Sequence, residues 1–352
     1  MIQFEGEDAD AVWRQAVRRV RTDGVIRESR DQPTREVLHA VFTIRDPRQR
    51  LVFARPINPA FAIAEVLWIM AGANDADFLR FWDPRMGRFT DDRDPHVLHG
   101  AYGDRLGSRP RLGVAATAQL RRGGTRGFDQ IKAAYEALRH SPHSRQVVLQ
   151  IWDSRRDLPD PEPRSRDIPC NIVSHLLVRD GRLDWLQVMR SNDLMWGLPY
   201  NIVQFTSMQE IMAGWLGVDV GAYTHISDSL HVYERHWAEL DAVADTAAPP
   251  RNTAHLGLAS YEEWERIWAQ LVDGALALIR HADAARILAV AQSLDDVPPA
   301  YAEWVAVLTA EALGRGGHDT EAAQAADAAG AFWGASWRRW RAERQRRDVD
   351  DL

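Results

Sequence analysis

Residues 171–189 read NIVSHLLVRDGRLDWLQVM, two apolar or alternating runs joined by Arg179-Asp180-Gly181. Alternating apolar residues are typical of strands with one buried face, and a short glycine-containing break between two such runs indicates a hairpin. Residues 146–152 form a third β-rich run. We therefore predict a sheet in this part of the chain, with Cys170 at the start of one of its strands.

A helical pattern precedes these strands. Asn58-Pro59 opens an apolar helix that ends at Gly72, as expected for a helix with proline in its first turn and glycine after its last. Glu65 falls inside this helix, where a buried carboxylate is costly unless it is paired, hydrogen-bonded or kept for function. We expect Glu65 to be buried and to serve either a structural network or proton transfer.

A second helical pattern follows the strands. Residues 201–216 carry apolar side chains at helical spacing, and Gly217 is a typical stop signal. Asn201 is therefore expected at the start of a helix, where an asparagine is often only a cap.

The C-terminal part of the chain differs in composition from the rest. Residues 258–347 are rich in alanine, tryptophan and arginine at helical spacing and contain no convincing strand. We place a boundary near residues 248–251, which divides the chain into a catalytic domain, 1–255, and a helical extension, 256–352. The tryptophans of the extension are predicted to be core anchors.

The composition excludes several classes of protein. The 352 residues carry a net charge of −7, which argues against binding to polymeric nucleic acid but allows a local arginine site for one phosphate. One cysteine cannot form an internal disulfide, and the sequence contains no stretch of about 18 apolar residues that could span a bilayer. With no secretory leader evident, we expect a cytoplasmic protein without membrane contact.

Four short segments follow one another and carry the chemistry. They are Asp167-Ile168-Pro169-Cys170, Arg190-Ser191-Asn192-Asp193, Gly197-Leu198-Pro199-Tyr200-Asn201 and His231-Val232-Tyr233. A cysteine thiolate is suited to adding to C6 of a uracil ring, an arginine fork to binding phosphate, and an amide to pairing with O4 and N3–H of uracil.

Taken in this order, the four segments resemble thymidylate synthases and the related pyrimidine nucleotide hydroxymethylases, over roughly residues 24–238. The resemblance implies an α/β fold with a mostly antiparallel, twisted sheet flanked by helices, here with a helical C-terminal extension. It also implies a homodimer formed through a sheet face, Cys170 as the nucleophile, and 5,10-methylenetetrahydrofolate as the carbon donor.

The resemblance assigns the phosphate to arginines. Arg190 and Ser191 match the pair that binds the 5'-phosphate, and Arg145 matches an arginine that reaches the phosphate across the dimer interface. Arg30 is the candidate for a mobile N-terminal arginine that closes on the phosphate, with Arg27 and Arg35 as alternatives.

The base and the sugar have their own residues in the resemblance. Asn201 matches the asparagine found in family members that act on uracil, whereas an aspartate is found at this position in an enzyme acting on cytosine. His231 and Tyr233, near another apparent helix start, match the pair that binds the sugar 3'-hydroxyl. His225, His231 and His236 fit no zinc spacing, and we expect no metal.

Four further residues complete the site that the resemblance implies. Glu65 matches a glutamate that moves protons through water, and Tyr102 matches a tyrosine near the nucleophile. Trp82 matches a tryptophan that packs beside the transferred carbon and the folate, with core packing as the alternative. Asp193 matches an aspartate that helps organise the substrate and the folate end of the site.

The sequence departs from the family pattern in three places. Asn171 stands where histidine usually follows the nucleophile, and Gln146 replaces the second arginine of a pair. A methylating synthase ends in an apolar segment that closes over the folate, whereas this chain ends Arg346-Arg347-Asp348-Val349-Asp350-Asp351-Leu352. We therefore expect this lid to be missing or rebuilt.

These departures leave the product open. We place methylation of deoxyuridine monophosphate first, because Asn201 and Trp82 are retained, and 5-hydroxymethylation of the same or another pyrimidine nucleotide beside it. A catalytically silent nucleotide-binding protein is an alternative of a different class. A third possibility is an interaction protein whose helical extension is the working part.

Overall fold

The computed structural model of the chain describes residues 1–29, 32–90, 94–107, 128–158, 167–243 and 249–350. They divide into two units, each made of three segments. The sheet unit comprises Met1–Ile57, Ala134–Trp152 and Cys170–Arg251, and the helical unit comprises Asn58–Ala133, Asp153–Pro169 and Asn252–Leu352.

The strands of the sheet unit form one sheet, which has seven strands in the described residues. They are β1 (Ile2–Gly6), β2 (Val25–Arg27), β3 (Thr34–Ile44), β4 (Val148–Gln150), β5 (Asn171–Arg179), β6 (Arg182–Asp193) and β7 (Asp219–Tyr233). Their order is β1-β3-β7-β6-β5-β4, with β2 also paired to β3. Only β1–β3 and β6–β7 are parallel pairs, so the predicted mostly antiparallel sheet is confirmed.

The described residues form helices along the whole length of the sequence. They are α1 (Ala9–Asp23), α2 (Pro59–Met70), α3 (Ala76–Trp82), α4 (Tyr102–Leu106), α5 (Gln130–His140), α6 (Ser154–Asp157), α7 (Gly197–Leu216), α8 (Trp237–Asp241), α9 (Tyr261–Leu278), α10 (Ala284–Gln292), α11 (Pro299–Arg315), α12 (Asp319–Ala328) and α13 (Ala335–Asp350). Among these helices, none combines the length and apolar character that a membrane span requires.

The predicted hairpin consists of β5 and β6. Asp180 and Gly181 connect the two strands with φ values of 50° and 70°. Two consecutive residues with positive φ are typical of the hairpin turn whose twist matches that of the flanking strands. The predicted third strand is also present as β4, although it is shorter than the run at 146–152.

Helix α7 is the central helix of the sheet unit. It contacts β6 and β7, and nearly all of its residues are buried. Its buried Glu210 forms an ion pair with the fully buried Arg50, which satisfies two charges that would otherwise be costly to bury. Gly217 ends the helix in the left-handed conformation, as predicted.

Helix α2 is the central helix of the helical unit. The side chain of Asn58 accepts from the backbone N–H of Phe61 at 3.1 Å, and Pro59 occupies the first turn, so the predicted start is confirmed. All residues of α2 except Glu65 are buried. Glu65 is half-buried, so the expectation of full burial was wrong.

The C-terminal helices α9–α13 confirm the helical prediction for this part of the chain. Five of the six tryptophans are buried, as predicted for core anchors, namely Trp264, Trp268, Trp304, Trp333 and Trp337, whereas Trp340 is half-buried. Helices α9, α11 and α13 contact α2, so the C-terminal helices share a unit with residues from the first part of the chain. The division into a catalytic domain, 1–255, and an extension, 256–352, stays a prediction.

Candidate active site

Cys170 is half-buried and directly precedes β5. Its carbonyl oxygen accepts a hydrogen bond from the backbone N–H of Arg190 at 2.9 Å. This bond places the predicted nucleophile beside the first predicted phosphate-binding residue, on neighbouring strands of one sheet. The hairpin turn sets the pairing of β5 and β6 as far as Val173, and an irregularity between Asn171 and Val173 then shifts the register by one residue beside Cys170.

Trp152 lies beneath the guanidinium of Arg190, with 5.6 Å between Cζ and the ring centroid. A cation over an aromatic face is held by the quadrupole of the ring, and this contact limits the directions that the guanidinium can take. Ser191, the next residue along β6, is half-buried and pairs in register with Ser229 of β7. Arg190 and Ser191 thus lie near the end of β6, as the sequence predicted.

His231 and Tyr233 lie at the end of β7, and a helical turn, Glu234–His236, begins directly after Tyr233, so the expected helix start is confirmed. Alternate residues of a strand face the same side, so their spacing of two places both rings on one face. The ring centroids are 5.0 Å apart and the planes are perpendicular. The strand therefore brings the two predicted sugar-binding side chains together, which residues two apart on a helix would not achieve.

Asp193 pairs in register with His231 across the parallel β6–β7 contact. Burial lowers the pKa of His231, and the negative charge of Asp193 partly opposes this shift. The carboxylate of Asp193 also accepts from the backbone N–H of Met195 at 2.8 Å and of Trp196 at 3.3 Å. Asp193 therefore shapes the link from β6 to α7 as well as the charge near His231.

Asn201 is buried in the second turn of α7, which begins at Gly197, so it does not occupy the helix start that the sequence predicted. Its Nδ2 donates to Oε1 of Gln204 at 3.0 Å. This bond fixes the orientation of the Asn201 amide and leaves its Oδ1 as an acceptor and its second N–H as a donor. That pair of groups complements O4 and N3–H of uracil.

Asn171 is fully buried and belongs to a network of amides under β5 and β6. Its Oδ1 accepts from Nε2 of Gln187, and Oε1 of Gln187 accepts from the hydroxyl of Ser174 at 2.7 Å and the indole of Trp185 at 3.3 Å. The Nδ2 of Asn171 has no hydrogen-bond partner among the described residues. The Asn171 side chain is therefore fixed by a hydrogen bond at its Oδ1, while its Nδ2 donor is buried.

The arginines predicted to reach the phosphate from elsewhere differ in what the structure describes. Arg145 is exposed, and its carbonyl oxygen contacts Nε2 of His175 at 3.1 Å. Arg30 lies outside the described residues. Of its two alternatives, Arg35 pairs with Asp241 at 2.9 Å, whereas exposed Arg27 lies 3.9 Å from a carboxylate of β3.

The helical unit holds three of the predicted site residues. Glu65 lies on α2, Trp82 ends α3, and half-buried Tyr102 begins α4. Trp82 is fully buried and its indole Nε1 has no hydrogen-bond partner among the described residues. Full burial agrees with the core-packing alternative for Trp82, and its folate role stays a prediction.

His225 is fully buried, and burial lowers its pKa from 6.5 to about 3. The neutral ring accepts at Nε2 from the amide of Asn192 at 3.0 Å, so Nδ1 carries the hydrogen and donates to the hydroxyl of Tyr223 at 2.9 Å. Within the described ranges, no group of three or more metal-ligating side chains is placed to hold an ion.

Sequence reasoning missed several residues of this region. Gln187 had a usable signal, because the alternation of β6 places it on the buried face with Trp185 and Met189, where a polar residue calls for partners. Trp152 and Gln204 had no such signal, since their contacts depend on how strands and helix turns meet in space.

The mostly antiparallel sheet thus carries a half-buried cysteine beside an arginine, with an Asp–His pair on the neighbouring strands. The family model described as thymidylate synthase matches residues 11–273. The chain thus belongs to the thymidylate synthase family.

Two curated relatives refine the comparison. The chain is 34% identical over 236 residues to the deoxyuridylate hydroxymethyltransferase of Bacillus phage SP01, covering 66% of this chain and 59% of the relative. It is 33% identical over 233 residues to the deoxyuridylate hydroxymethyltransferase of Pseudomonas phage M6, covering 65% of this chain and 60% of the relative. The match spans about three fifths of the length of these relatives.

Proposed function

We propose that this protein transfers a one-carbon unit to C5 of deoxyuridine monophosphate and that its product is the 5-hydroxymethyl nucleotide. The observation that carries the proposal is the backbone hydrogen bond that places Cys170 beside Arg190 in the interior of the sheet of a thymidylate synthase family member. Two relatives that bear the name deoxyuridylate hydroxymethyltransferase support the choice of substrate and product.

Cys170 is the nucleophile in this proposal. Its thiolate adds to C6 of the uracil ring, the C5–C6 double bond opens, and the electron pair moves through C5 toward O4. C5 thereby becomes able to attack an electrophilic carbon. The C5 proton is lost as tetrahydrofolate leaves, water adds to the methylene carbon that remains on C5, and release of Cys170 from C6 restores the C5–C6 double bond.

The phosphate is held by the end of β6. Arg190 presents a planar fork that suits two phosphate oxygens, and Ser191 adds a hydroxyl donor. We propose that the exposed Arg145 of a second subunit completes the phosphate site in a homodimer, and that Arg30 closes on the phosphate from the N-terminal region.

Asn201 reads the base in this proposal. Its Oδ1 accepts from N3–H of uracil and its Nδ2 donates to O4, an arrangement that Gln204 stabilises by fixing the amide. Cytosine offers an acceptor at N3 and a donor at N4, so it meets this amide with both groups mismatched. His231 and Tyr233 bind the 3'-hydroxyl of the sugar.

The helical unit and Asp193 supply the remaining roles. Methylenetetrahydrofolate, when bound, supplies the one-carbon unit. Trp82 and Asp193 bind the folate, and the unpaired indole N–H of Trp82 is the group that fits a polar partner. Glu65 moves protons through water, for which a half-buried carboxylate is better placed than a sealed one. We assign Tyr102 the role of the family tyrosine that lies near the nucleophile.

The product depends on whether water reaches the activated carbon before a hydride does. Hydroxymethylation requires water at the site, whereas methylation requires its exclusion. Asn171 replaces the usual histidine, and its buried Nδ2 is a donor without a described partner. An amide can hold a water molecule but cannot shuttle its proton. Methylation of the same nucleotide is the second candidate, because the family that the chain belongs to is named for it.

Mass spectrometry of the nucleotide tests the proposal. The protein is incubated with methylenetetrahydrofolate and with deoxyuridine, uridine or cytidine monophosphate, and the Cys170→Ala variant is the matched control. We expect a hydroxymethyl group on deoxyuridine monophosphate and release of tetrahydrofolate. A methyl group with dihydrofolate would establish the second candidate.

A protein that only binds nucleotides would leave all three nucleoside monophosphates unchanged. Release of tritium from C5-labelled deoxyuridine monophosphate separates binding from chemistry, since binding alone cannot exchange this hydrogen. Absence of both product and tritium release, in a preparation that binds the nucleotide, would contradict the proposed activity.

A further inference from the structure

The C-terminal helices contact the backbone of Trp82. Arg315, at the end of α11, donates from Nη2 to the carbonyl oxygen of Trp82 at 2.6 Å. The same oxygen accepts from Nδ2 of Asn58, the residue that caps α2, at 2.9 Å. One carbonyl thus connects the end of α3 to the start of α2 and to the end of α11, all within the helical unit.

The guanidinium of Arg315 is itself held on two further sides. Its Nε donates to Oε1 of Glu311 at 2.7 Å, one turn earlier in α11. Its Cζ lies 5.5 Å from the ring centroid of Phe81, the neighbour of Trp82. The second carboxylate oxygen of Glu311 accepts from the indole of Trp337 in α13 at 3.2 Å. Because three directions are fixed, Arg315 cannot swing away from Trp82 without breaking other contacts.

Burial makes this arrangement demanding to maintain. Glu311 is fully buried, and burial raises its pKa, while the positive charge of Arg315 opposes the shift. Burial likewise lowers the pKa of Arg315, and Glu311 opposes this. Each charge is tolerated in the core because the other is present. If positions 311 and 315 served packing alone, apolar side chains would fill them equally well.

We propose that Arg315 is a positioning residue for Trp82, through which the C-terminal helices hold the folate-binding side of the active site in place. This inference rests on the proposed function, in which Trp82 contacts the folate. Arg315 acts on the tryptophan backbone and not on substrate. Its loss therefore weakens folate binding and leaves nucleotide binding, which the sheet unit provides, unchanged.

The test measures two dissociation constants by titration calorimetry on the full chain. One is that of deoxyuridine monophosphate alone, and the other is that of tetrahydrofolate with this nucleotide present. Arg315→Met removes the donors and the charge, and Arg315→Lys keeps the charge and one donor. Arg338→Met is the matched control, because Arg338 pairs with Asp327 on the exposed side of the same C-terminal helices.

We expect Arg315→Met to weaken tetrahydrofolate binding by about tenfold or more, the loss typical of a hydrogen bond from a charged donor. Arg315→Lys should recover part of it, and Arg338→Met should match the wild type. The KM for methylenetetrahydrofolate should rise in parallel with the dissociation constant. Unchanged tetrahydrofolate binding in Arg315→Met, or an equal loss for the nucleotide, would overturn the proposal.

A double-mutant cycle with Trp82→Phe examines the route of the effect. If Arg315 acts through Trp82, Arg315→Met costs less tetrahydrofolate affinity in the Trp82→Phe background than in the wild type. Additive losses would overturn the proposal. Should Arg315→Met fail to fold, Arg315→Lys and Glu311→Gln provide the same comparison, and wild-type folate affinity in both would overturn it.

The wild-type protein separates this inference from the function on which it rests. A wild type that binds deoxyuridine monophosphate but neither binds tetrahydrofolate nor turns over contradicts the proposed function. A wild type that binds and turns over, with an Arg315→Met variant that binds tetrahydrofolate equally well, contradicts only the positioning role.

Discussion

Gln187 donates through Nε2 to Oδ1 of Asn171, the residue immediately after Cys170. Both side chains are fully buried. Gln187 is in turn an acceptor for Ser174 and Trp185, so one amide organises the start of the strand that carries the nucleophile. A fully satisfied buried amide favours one arrangement of its neighbours, because the loss of any partner leaves another buried polar group unsatisfied.

Replacing Gln187 with leucine should therefore destabilise the protein. The change leaves Oδ1 of Asn171 and the hydroxyl of Ser174 buried without their partner, and we expect a loss of about 3 kcal/mol in the free energy of unfolding. Urea denaturation followed by circular dichroism measures it. Gln150→Leu, on the exposed side of β4, is the matched control and should change stability by less than about 0.5 kcal/mol. Equal stability of the two variants would contradict the network described here.

Cys170→Ala should abolish turnover and tritium release, because no other cysteine exists in the chain to add to the base. Nucleotide binding should persist within a few-fold of the wild type, since Arg190, Ser191 and Asn201 remain. Calorimetry with deoxyuridine monophosphate measures binding and mass spectrometry measures product. Full activity in this variant would refute the covalent mechanism.

Asn201→Asp should shift the base preference from uracil toward cytosine. An aspartic acid can donate to N3 of cytosine and accept from its N4 amine, whereas uracil then meets an unpaired buried group, at a cost of about 1–3 kcal/mol or roughly 10- to 100-fold in kcat/KM. Competition between deoxyuridine and deoxycytidine monophosphates, analysed by mass spectrometry, gives the ratio. Asn201→Ala is the control, because it removes the contact without creating the new one. An unchanged preference in Asn201→Asp would assign base reading to another residue.

His225 should make the protein less stable in mild acid. Its pKa is about 3 in the folded state and near 6.5 when exposed, so between these values the unfolded chain binds a proton that the folded chain does not. The loss in the free energy of unfolding is absent above pH 6.5. It grows by about 1.4 kcal/mol for each pH unit below that value, to roughly 2 kcal/mol at pH 5.

His225→Gln removes this titration and keeps a polar group between Asn192 and Tyr223. Urea denaturation at pH 7 and pH 5 should therefore show a smaller loss in the variant than in the wild type. His39→Gln is the control, because His39 is exposed and pairs with Asp228 at the surface. Parallel pH profiles for wild type and His225→Gln would show that the acid sensitivity arises elsewhere.

The sequence predicted those parts of the fold that depend on local patterns. The Asp180-Gly181 turn, the Asn58-Pro59 start of α2 and the Gly217 stop of α7 each follow from the conformations that these residue types favour. The helical character of the C-terminal region likewise follows from its spacing of apolar residues.

Other features depend on contacts between distant residues and left no local signal. Arg315 and the carbonyl of Trp82 are 233 positions apart, so no window of sequence shows that they meet. The helix start after Tyr233 was expected, but the strand that ends there was not, because its pairing with β3 and β6 joins distant parts of the chain.

The two kinds of pairing in the sheet also bear on how the protein folds. The β5–β6 hairpin is closed by a two-residue turn, and hairpins of this kind form in about 1–10 microseconds. Strand β7 pairs with β3 across the chain, and the bond from Ser229 to Glu36 joins residues 193 positions apart. Long-range pairing is slow because a large loop must close before the contacts form. We therefore expect Cys170 and Arg190 to meet before His231 joins them. Until β7 pairs with β6 and β3, the edges of these two strands are open to pairing with other chains.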